Sequence, residues 1–377
     1  MTEGMKHNGH EKGRPLRVII AGGGTGGHIF PAIAIANALK EAAPGTEILF
    51  VGAKGKMEME KVPQAGYAIR GIDIAGFNRS SLMKNIGLPF KLVRSFFQVR
   101  SIIGSFRPDA VVGVGGYSSF PVLRYAQVKG VPTFIHESNS FAGKSNILLG
   151  KKATRVFVAT DGMEKFFPAG KIEITGNPVR PAIARARVDR EAALRFFGLV
   201  PEQPVVLAVG GSLGARSINE AVDRWLNDLL GAGLQVIWQT GKPYAEKGKE
   251  RAKGLSGVWV NDFITQMELG YAAADVVISR AGAMAIAELC TVRKPVVFVP
   301  YPFAAEDHQT SNAQSLVEKG AALMVKDSEA GEKLVPAILE LAADRNRQNE
   351  LKEQIGKQAV PDADKKIATA ILNVLTN

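Results

Sequence analysis

Apolar residues in this chain fall into short unbroken runs, each followed by a longer segment with helical spacing. Residues 17–21, 47–51, 110–114, 133–135 and 155–158 are such runs, and residues 30–41 form the first helix-length segment between them. A strand buried on both faces reads as a continuous apolar run, and strands alternating with helices imply a mostly parallel sheet covered by helices. The pattern restarts at 204–209 and continues through 235–238, 258–260, 275–278 and 295–299, with a helix over 217–230. The predicted fold class is therefore α/β, with two Rossmann-like domains and a ligand at the carboxyl ends of their strands. The boundary is expected in Gly176-Asn177-Pro178-Val179-Arg180-Pro181, a turn-rich stretch with two prolines. This gives a first domain over 15–179 and a second over 180–359. A last helix, about 360–377, is available to pack back on the first domain.

Residues 1–14 are polar, carry His7 and His10 and lack an apolar signal core, so they read as a disordered or tag-like tail. The uncharged run from Val18 to Leu39, about 22 residues, is nominally long enough to span a bilayer. Its glycines, proline and histidine make it a strand, a loop and a helix instead. The single cysteine, Cys290, rules out a disulfide within the chain and a cluster of metal-binding thiols. Charge changes the picture more. The net charge is +11, and residues 16–179 carry about 20 Lys and Arg against about 10 Asp and Glu, while 180–377 are balanced. A basic first half points to an anionic partner: a phosphate substrate, a membrane surface or nucleic acid.

The first turn, Gly22-Gly23-Gly24-Thr25-Gly26-Gly27-His28, satisfies the G-x-G-x-x-G spacing after a strand and before a helix. Such glycines bring backbone N–H groups and a helix N-terminus close to phosphate. A dinucleotide site also needs an acid at the end of the second strand, but that strand ends Val51-Gly52-Ala53-Lys54. Hydride transfer therefore loses its support. His28, at the mouth of the turn, is the candidate general base. His136-Glu137-Ser138-Asn139 and Gly115-Gly116-Tyr117 follow strands on the same edge. In the second half Gly210-Gly211-Ser212 forms another anion-binding turn. Ser279-Arg280-Ala281-Gly282-Ala283-Met284 opens a helix whose amides face a departing anion, and this helix carries Glu288, an acceptor for ribose hydroxyls.

Taken in order, Gly22 to Pro31, Gly115-Gly116-Tyr117, His136-Glu137-Ser138-Asn139, Gly176 to Arg180, Gly210-Gly211-Ser212-Leu213-Gly214-Ala215 and Arg280-Ala281-Gly282-Ala283 resemble the MurG family. That family consists of the UDP-N-acetylglucosamine (UDP-GlcNAc) transferases that convert lipid I to lipid II in peptidoglycan synthesis, and so serve the cell wall, cell shape and division. The resemblance implies a GT-B fold, with two Rossmann-like domains, an interdomain cleft and a donor held mainly by the second domain. It implies uracil near Phe263 and Ile264, ribose on Glu288, and diphosphate by Ser212, Ala283 and Met284. Arg180, Asn139 and Gln309 would also contact the donor, with Thr25, Gly26 and Gly27 contributing from the first domain. The implied reaction is inverting: the muramyl C4 hydroxyl displaces UDP, with His28 as base and Glu137 as its partner. Family members often carry glutamine where Leu213 and Ser138 stand, so neither of these side chains is given a role.

No resident cofactor or metal is expected, because Asp362-Ala363-Asp364, the only Asp-x-Asp, reads as a helix cap with an acidic first turn. A lipid-linked acceptor calls for a peripheral position on the cytoplasmic face of the bacterial cell membrane. The segment 70–107 fits an anionic membrane surface, with seven Lys and Arg against Asp73 alone, interleaved with Phe77, Leu82, Met83, Ile86, Leu88, Phe90, Phe96 and Phe97. Leu92, Phe96, Val99 and Ile103 have helical spacing and are expected in the core, leaving the residues before Phe90 for insertion. The rival readings are a transferase with another lipid acceptor such as diacylglycerol, a sugar-nucleotide epimerase, and a non-catalytic nucleotide-binding membrane scaffold. Nucleic acid is not expected as a partner, since the basic region lacks a recognisable reading module.

Overall fold

The computed structural model describes residues 14–75, 88–185, 187–304 and 307–376. The chain divides into two compact units, one running to Val179 and resuming at Asp362, the other spanning Arg180–Pro361.

In the first unit the elements are β1 (Arg17–Ala21), α1 (Gly26–Ala42), β2 (Glu47–Ala53), α2 (Glu58–Gln64), β3 (Ala68–Ile72), α3 (Leu88–Phe106), β4 (Ala110–Gly113), α4 (Ser119–Val128), β5 (Thr133–Glu137), α5 (Lys144–Gly150), β6 (Arg155–Val158) and β7 (Ile172–Ile174). The strands form one parallel sheet in the order β3-β2-β1-β4-β5-β6-β7. Alternation along β1 splits the core. Val18 and Ile20 join the layer of Ile35, Leu39 and Phe134, while Ile19 and Ala21 join that of Val99, Ile103 and Leu123.

The second unit continues with α6 (Pro181–Ala184), α7 (Arg190–Phe197), β8 (Val205–Val209), α8 (Arg216–Gly231), β9 (Gln235–Gln239), α9 (Ala245–Ala252), β10 (Val258–Asn261), α10 (Met267–Ala273), β11 (Val276–Ser279), α11 (Ala283–Val292), β12 (Val296–Phe298), α12 (His308–Glu318), β13 (Leu323–Met324), α13 (Ala330–Ala343) and α14 (Arg345–Lys357). Its parallel sheet has the order β10-β9-β8-β11-β12-β13. The last helix, α15 (Ala363–Thr376), packs against α1, with Ile367, Ala368 and Ile371 buried in the first unit's core.

Three sequence expectations change here. Arg14 does not belong to a loose tail: it pairs with Asp109, whose other oxygen accepts the Arg17 N–H, so the chain is anchored three residues before β1. Residues 1–13 lie outside the described residues. β5 runs two residues further than its apolar core, because His136 and Glu137 stand opposite Phe157 and Val158 in the ladder. Leu92 is exposed rather than in the core. The buried seam of α3 runs through Ser95, Val99 and Ile103, with Phe96 at its margin.

Candidate active site

In each sheet the strand order reverses between two neighbours, β1 and β4 in the first unit and β8 and β11 in the second. Loops leaving such a pair diverge to opposite faces and open a crevice at the carboxyl ends of the strands. The glycine turns that the sequence singles out leave at these points.

In the first unit the two turns interlock. Gly23 N–H donates to Gly115 O at 3.2 Å. A Cβ on Gly116, which has φ of 87°, would stand 2.4 Å from Gly23 O. A Cβ on Gly115 would stand 2.8 Å from His28 Nε2. Only glycine lets the β4 turn pass this close to the imidazole.

His28, half-buried in the first turn of α1, has Nδ1 3.1 Å from Gly23 O and 3.4 Å from Thr25 Oγ1. A carbonyl oxygen can only accept, so Nδ1 carries the proton, and in the neutral ring Nε2 presents its lone pair. That is the tautomer a general base at Nε2 needs. Thr25 stands exposed at the helix N-cap position, and the amides of Gly26 and Gly27 open α1.

The sequence reading passed over Glu58. This first residue of α2 is 1 % exposed; Oε2 accepts Gly24 N–H at 2.8 Å and Oε1 accepts Ala53 N–H at 2.9 Å. An acid does follow β2, but it comes five residues beyond Ala53 and bends beneath the glycine turn instead of facing a ribose. With a carboxylate already bound there, a diphosphate at the Gly24 amide would meet like charge.

Glu137 and Asn139 lie in one cluster. Glu137 Oε1 accepts from Asn139 N and Nδ2 at 3.1 and 3.2 Å, and Oε2 from Gly143 N and Asn146 Nδ2 at 3.1 and 2.8 Å. Four N–H donors turn this buried carboxylate toward the following loop and the first turn of α5. His136, fully buried, has Nε2 3.4 Å from Gly176 O and Nδ1 3.4 Å from Ser138 Oγ. Burial pushes its pKa down to about 4; the Gly176 carbonyl opposes the shift and the charge of His28 adds to it.

In the second unit the 210–215 turn leaves β8, with Ser212 and Leu213 exposed at its tip. A Cβ on Gly214, where φ is 75°, would lie 1.9 Å from Thr240 O, so the turn is pressed against the end of β9. Gln239, which the sequence reading also missed, joins two predicted subsites. Its Nε2 donates to Gly211 O at 2.8 Å and its Oε1 accepts Ile264 N–H at 3.3 Å. Ile264 is buried, and Phe263 beside it stays half open.

Glu288, one and a half turns into α11, is buried rather than a surface helix glutamate. Arg180 Nε donates to Oε1 at 2.8 Å and Tyr271 OH to Oε2 at 3.1 Å. Burial would lower the Arg180 guanidinium, but the bond to Glu288 and its charge outweigh that and hold it above its ordinary value. Burial and then the Glu288 charge push the Tyr271 phenol well up, so it remains a donor. Tyr271 had no sequence signal, lying 17 residues before its partner on another helix. Ala283 and Met284 form the first turn of α11 behind Gly282, half-buried. Gln309, in the first turn of α12, accepts Tyr301 N–H on Oε1 at 3.0 Å, which leaves its Nε2 as the donor end. Arg280 braces the same loop by donating to Val299 O and Pro300 O.

Residues 18–158 match the glycosyltransferase family 28 N-terminal domain, and residues 205–367 the family 28 C-terminal domain. A UDP-N-acetylglucosamine--N-acetylmuramyl-(pentapeptide) pyrophosphoryl-undecaprenol N-acetylglucosamine transferase of Bacteroides fragilis is 52% identical over 373 residues, 98% of each chain. This chain belongs to that transferase family. A protein of the same description from Cytophaga hutchinsonii is 49% identical, over 96% of this chain and 98% of its own. The crystal structure of Acinetobacter baumannii MurG superposes with a TM-score of 0.77 at 29% identity, covering 95% of this chain and all of that one. A UDP-N-acetylglucosamine 2-epimerase structure, at 14% identity and TM-score 0.66, shares the fold alone. The chain is thus a glycosyltransferase with the two parallel α/β sheets of the GT-B fold.

Proposed function

We propose that this enzyme transfers N-acetylglucosamine from UDP-GlcNAc to the C4 hydroxyl of the muramyl residue of lipid I, giving lipid II with inversion at the anomeric carbon. The observation that carries the reading is the 52% identity to the Bacteroides fragilis transferase along 98% of both chains. The side-chain geometry supports a division of roles. In the second unit, Phe263 and Ile264 receive the uracil. Glu288 accepts the ribose hydroxyls on the lone pairs that Arg180 and Tyr271 leave. Ser212 and the α11 amides at Ala283 and Met284 stabilise the charge that grows on the departing UDP. Gln309 donates to a sugar hydroxyl, and Asn139 is a further donor contact.

In the first unit, Thr25, Gly26 and Gly27 contact substrate at the start of α1. His28 Nε2 takes the proton of the C4 hydroxyl as its oxygen attacks C1 and the bond from C1 to the diphosphate oxygen breaks. One displacement inverts the centre to β. Glu137 is reassigned from a partner of the base to a positioning residue. Its four donors come from Asn139, Gly143 and, on α5, Asn146, and its work is to hold Asn139.

The enzyme works as a peripheral protein on the cytoplasmic face of the membrane. No helix among the described residues is long and apolar enough to cross one. Residues 76–87, which include Phe77, Leu82, Met83 and Ile86, lie outside the described residues, as do the side chains of Leu88 and Pro89. α3 itself supplies a face: Phe90, Val93 and Phe97 are 79 %, 58 % and 67 % exposed at i, i+3 and i+7, with Lys91, Arg94 and Arg100 beside them.

Labelled UDP-GlcNAc offered with lipid I or with diacylglycerol tests the reaction. Label should pass to lipid I alone, whereas transfer to diacylglycerol would overturn the assignment. His28→Ala should abolish transfer and leave UDP affinity unchanged.

A further inference from the structure

A buried carboxylate stands one peptide group away from the imidazole of His28. Glu58 Oε2 accepts the N–H of Gly24 at 2.8 Å, and Gly23 O accepts the Nδ1–H of His28 at 3.1 Å. That N–H and that carbonyl belong to the same peptide bond. The described chain has no cis peptide, and a trans amide points its N–H and C=O in opposite directions. Carboxylate, peptide and imidazole therefore stand in series, and each hydrogen bond polarises the next in the same sense. Negative charge at Glu58 enriches Gly23 O, which draws on the Nδ1 proton and leaves Nε2 the stronger base.

The surrounding backbone is shaped to admit this carboxylate. A Cβ on Gly23 would lie 2.3 Å from Glu58 Cδ, and one on Gly52 would lie 2.5 Å from its Cγ. Gly23 has φ of 147°, which favours glycine independently. The second oxygen is fixed by Ala53 N–H at 2.9 Å, so both oxygens accept and the plane of the carboxylate is set. Among the described residues no comparable path leads from Glu137, whose four bonds close on the following loop and the first turn of α5.

We propose that Glu58 is a positioning residue of the transfer reaction, acting on His28 through the peptide that joins Gly23 and Gly24 so that Nε2 is fixed as the base and made more basic. The proposal rests on His28 being the base. In the step itself the C4 hydroxyl proton passes to Nε2, Nδ1 keeps its proton, and Glu58 takes none. The new bond from C4 oxygen to C1 forms as the bond from C1 to the diphosphate breaks. Among the described residues, Glu58 from α2 reaches the imidazole through the Gly23–Gly24 peptide, and His136 from β5, neutral above about pH 4, is coupled to it through charge. α1 contributes the Thr25 hydroxyl and β4 the backbone of Gly115.

A carboxylate in series favours the imidazolium, so removing its charge lowers the pKa of the base. In the full-length enzyme, Glu58→Gln should reduce kcat by about 10- to 100-fold and move the acid limb of kcat/KM to lower pH by about half a unit or more. UDP affinity should stay within about twofold. A loss of kcat with the acid limb unmoved would make Glu58 a brace of the turn and overturn the proposal. Imidazole ¹⁵N shifts give a second readout that does not need turnover. His28 should titrate as the Nδ1–H tautomer in the parent, and its pKa should fall in Glu58→Gln; an unchanged pKa overturns the proposal. Glu58→Asp, which keeps the charge, should restore part of the limb position. Retained turnover in His28→Ala would instead overturn the base assignment beneath it.

Discussion

His136 reaches from β5 to Gly176, just before the chain leaves the first unit for the second, and its burial has a consequence for stability. Its pKa is about 4 in the folded chain against 6.5 for an ordinary histidine. Between those values the unfolded chain binds a proton that the native chain excludes. The native state therefore keeps its full stability above about pH 6.5 and loses it as pH falls toward 4, at about 1.4 kcal/mol per unit and about 3 kcal/mol in all. Urea unfolding of the first unit between pH 7 and 4.5 should show this slope, and His136→Asn should flatten it; an equal slope in the variant would exclude His136 as its source. At this scale the sequence was legible in part. Glycines announced their turns, because a positive φ or a close backbone approach admits little else. Acids did not announce their partners. Glu58, Glu137 and Glu288 look alike in sequence, and only the fold gives one a peptide of the first turn, one four N–H donors, and one an arginine and a tyrosine.

Among the elements, α3 shows what periodicity can and cannot decide. Its spacing marked a helix, and Val99 and Ile103 lie buried as that spacing requires. The seam passes through Ser95 rather than Leu92, and α3 packs on β3 and α4. Rotating the seam in this way carries Phe90, Val93 and Phe97 to the outside together. Fully burying one phenylalanine is worth about 1.5–3 kcal/mol, and each nearby basic group adds about 1 kcal/mol at an anionic surface. Phe90→Ser with Phe97→Ser should therefore weaken binding to phosphatidylglycerol vesicles by about 10-fold or more. Turnover of a water-soluble acceptor analogue should be unaltered. Raising the salt concentration should weaken the parent's binding, since screening acts on the basic component. Vesicle affinity that the double substitution leaves untouched would remove α3 from the membrane face.

The whole molecule is two βα series with their loops at the switch points, and this duplication was readable because the strands flanking each switch point are apolar runs followed by turns, while the edge strands β3, β7 and β13 carry no such run. For the last helix the sequence offered the first domain as a partner without fixing it. An amphipathic pattern specifies a buried face but not the surface that will cover it, and α15 follows a chain segment belonging to the other unit. Its apolar face, Ile367, Ala368 and Ile371, covers α1 and completes the core beneath β1, β2 and β4. The first unit is thus finished only by residues that come after the second. Ile371→Ala removes a fully buried side chain there and should cost the first unit about 2–5 kcal/mol. Calorimetry should show the transition of that unit falling, while the transition that UDP raises keeps both its position and its UDP dependence. If UDP affinity fell in step with stability, the assignment of donor binding mainly to the second unit would have to be abandoned.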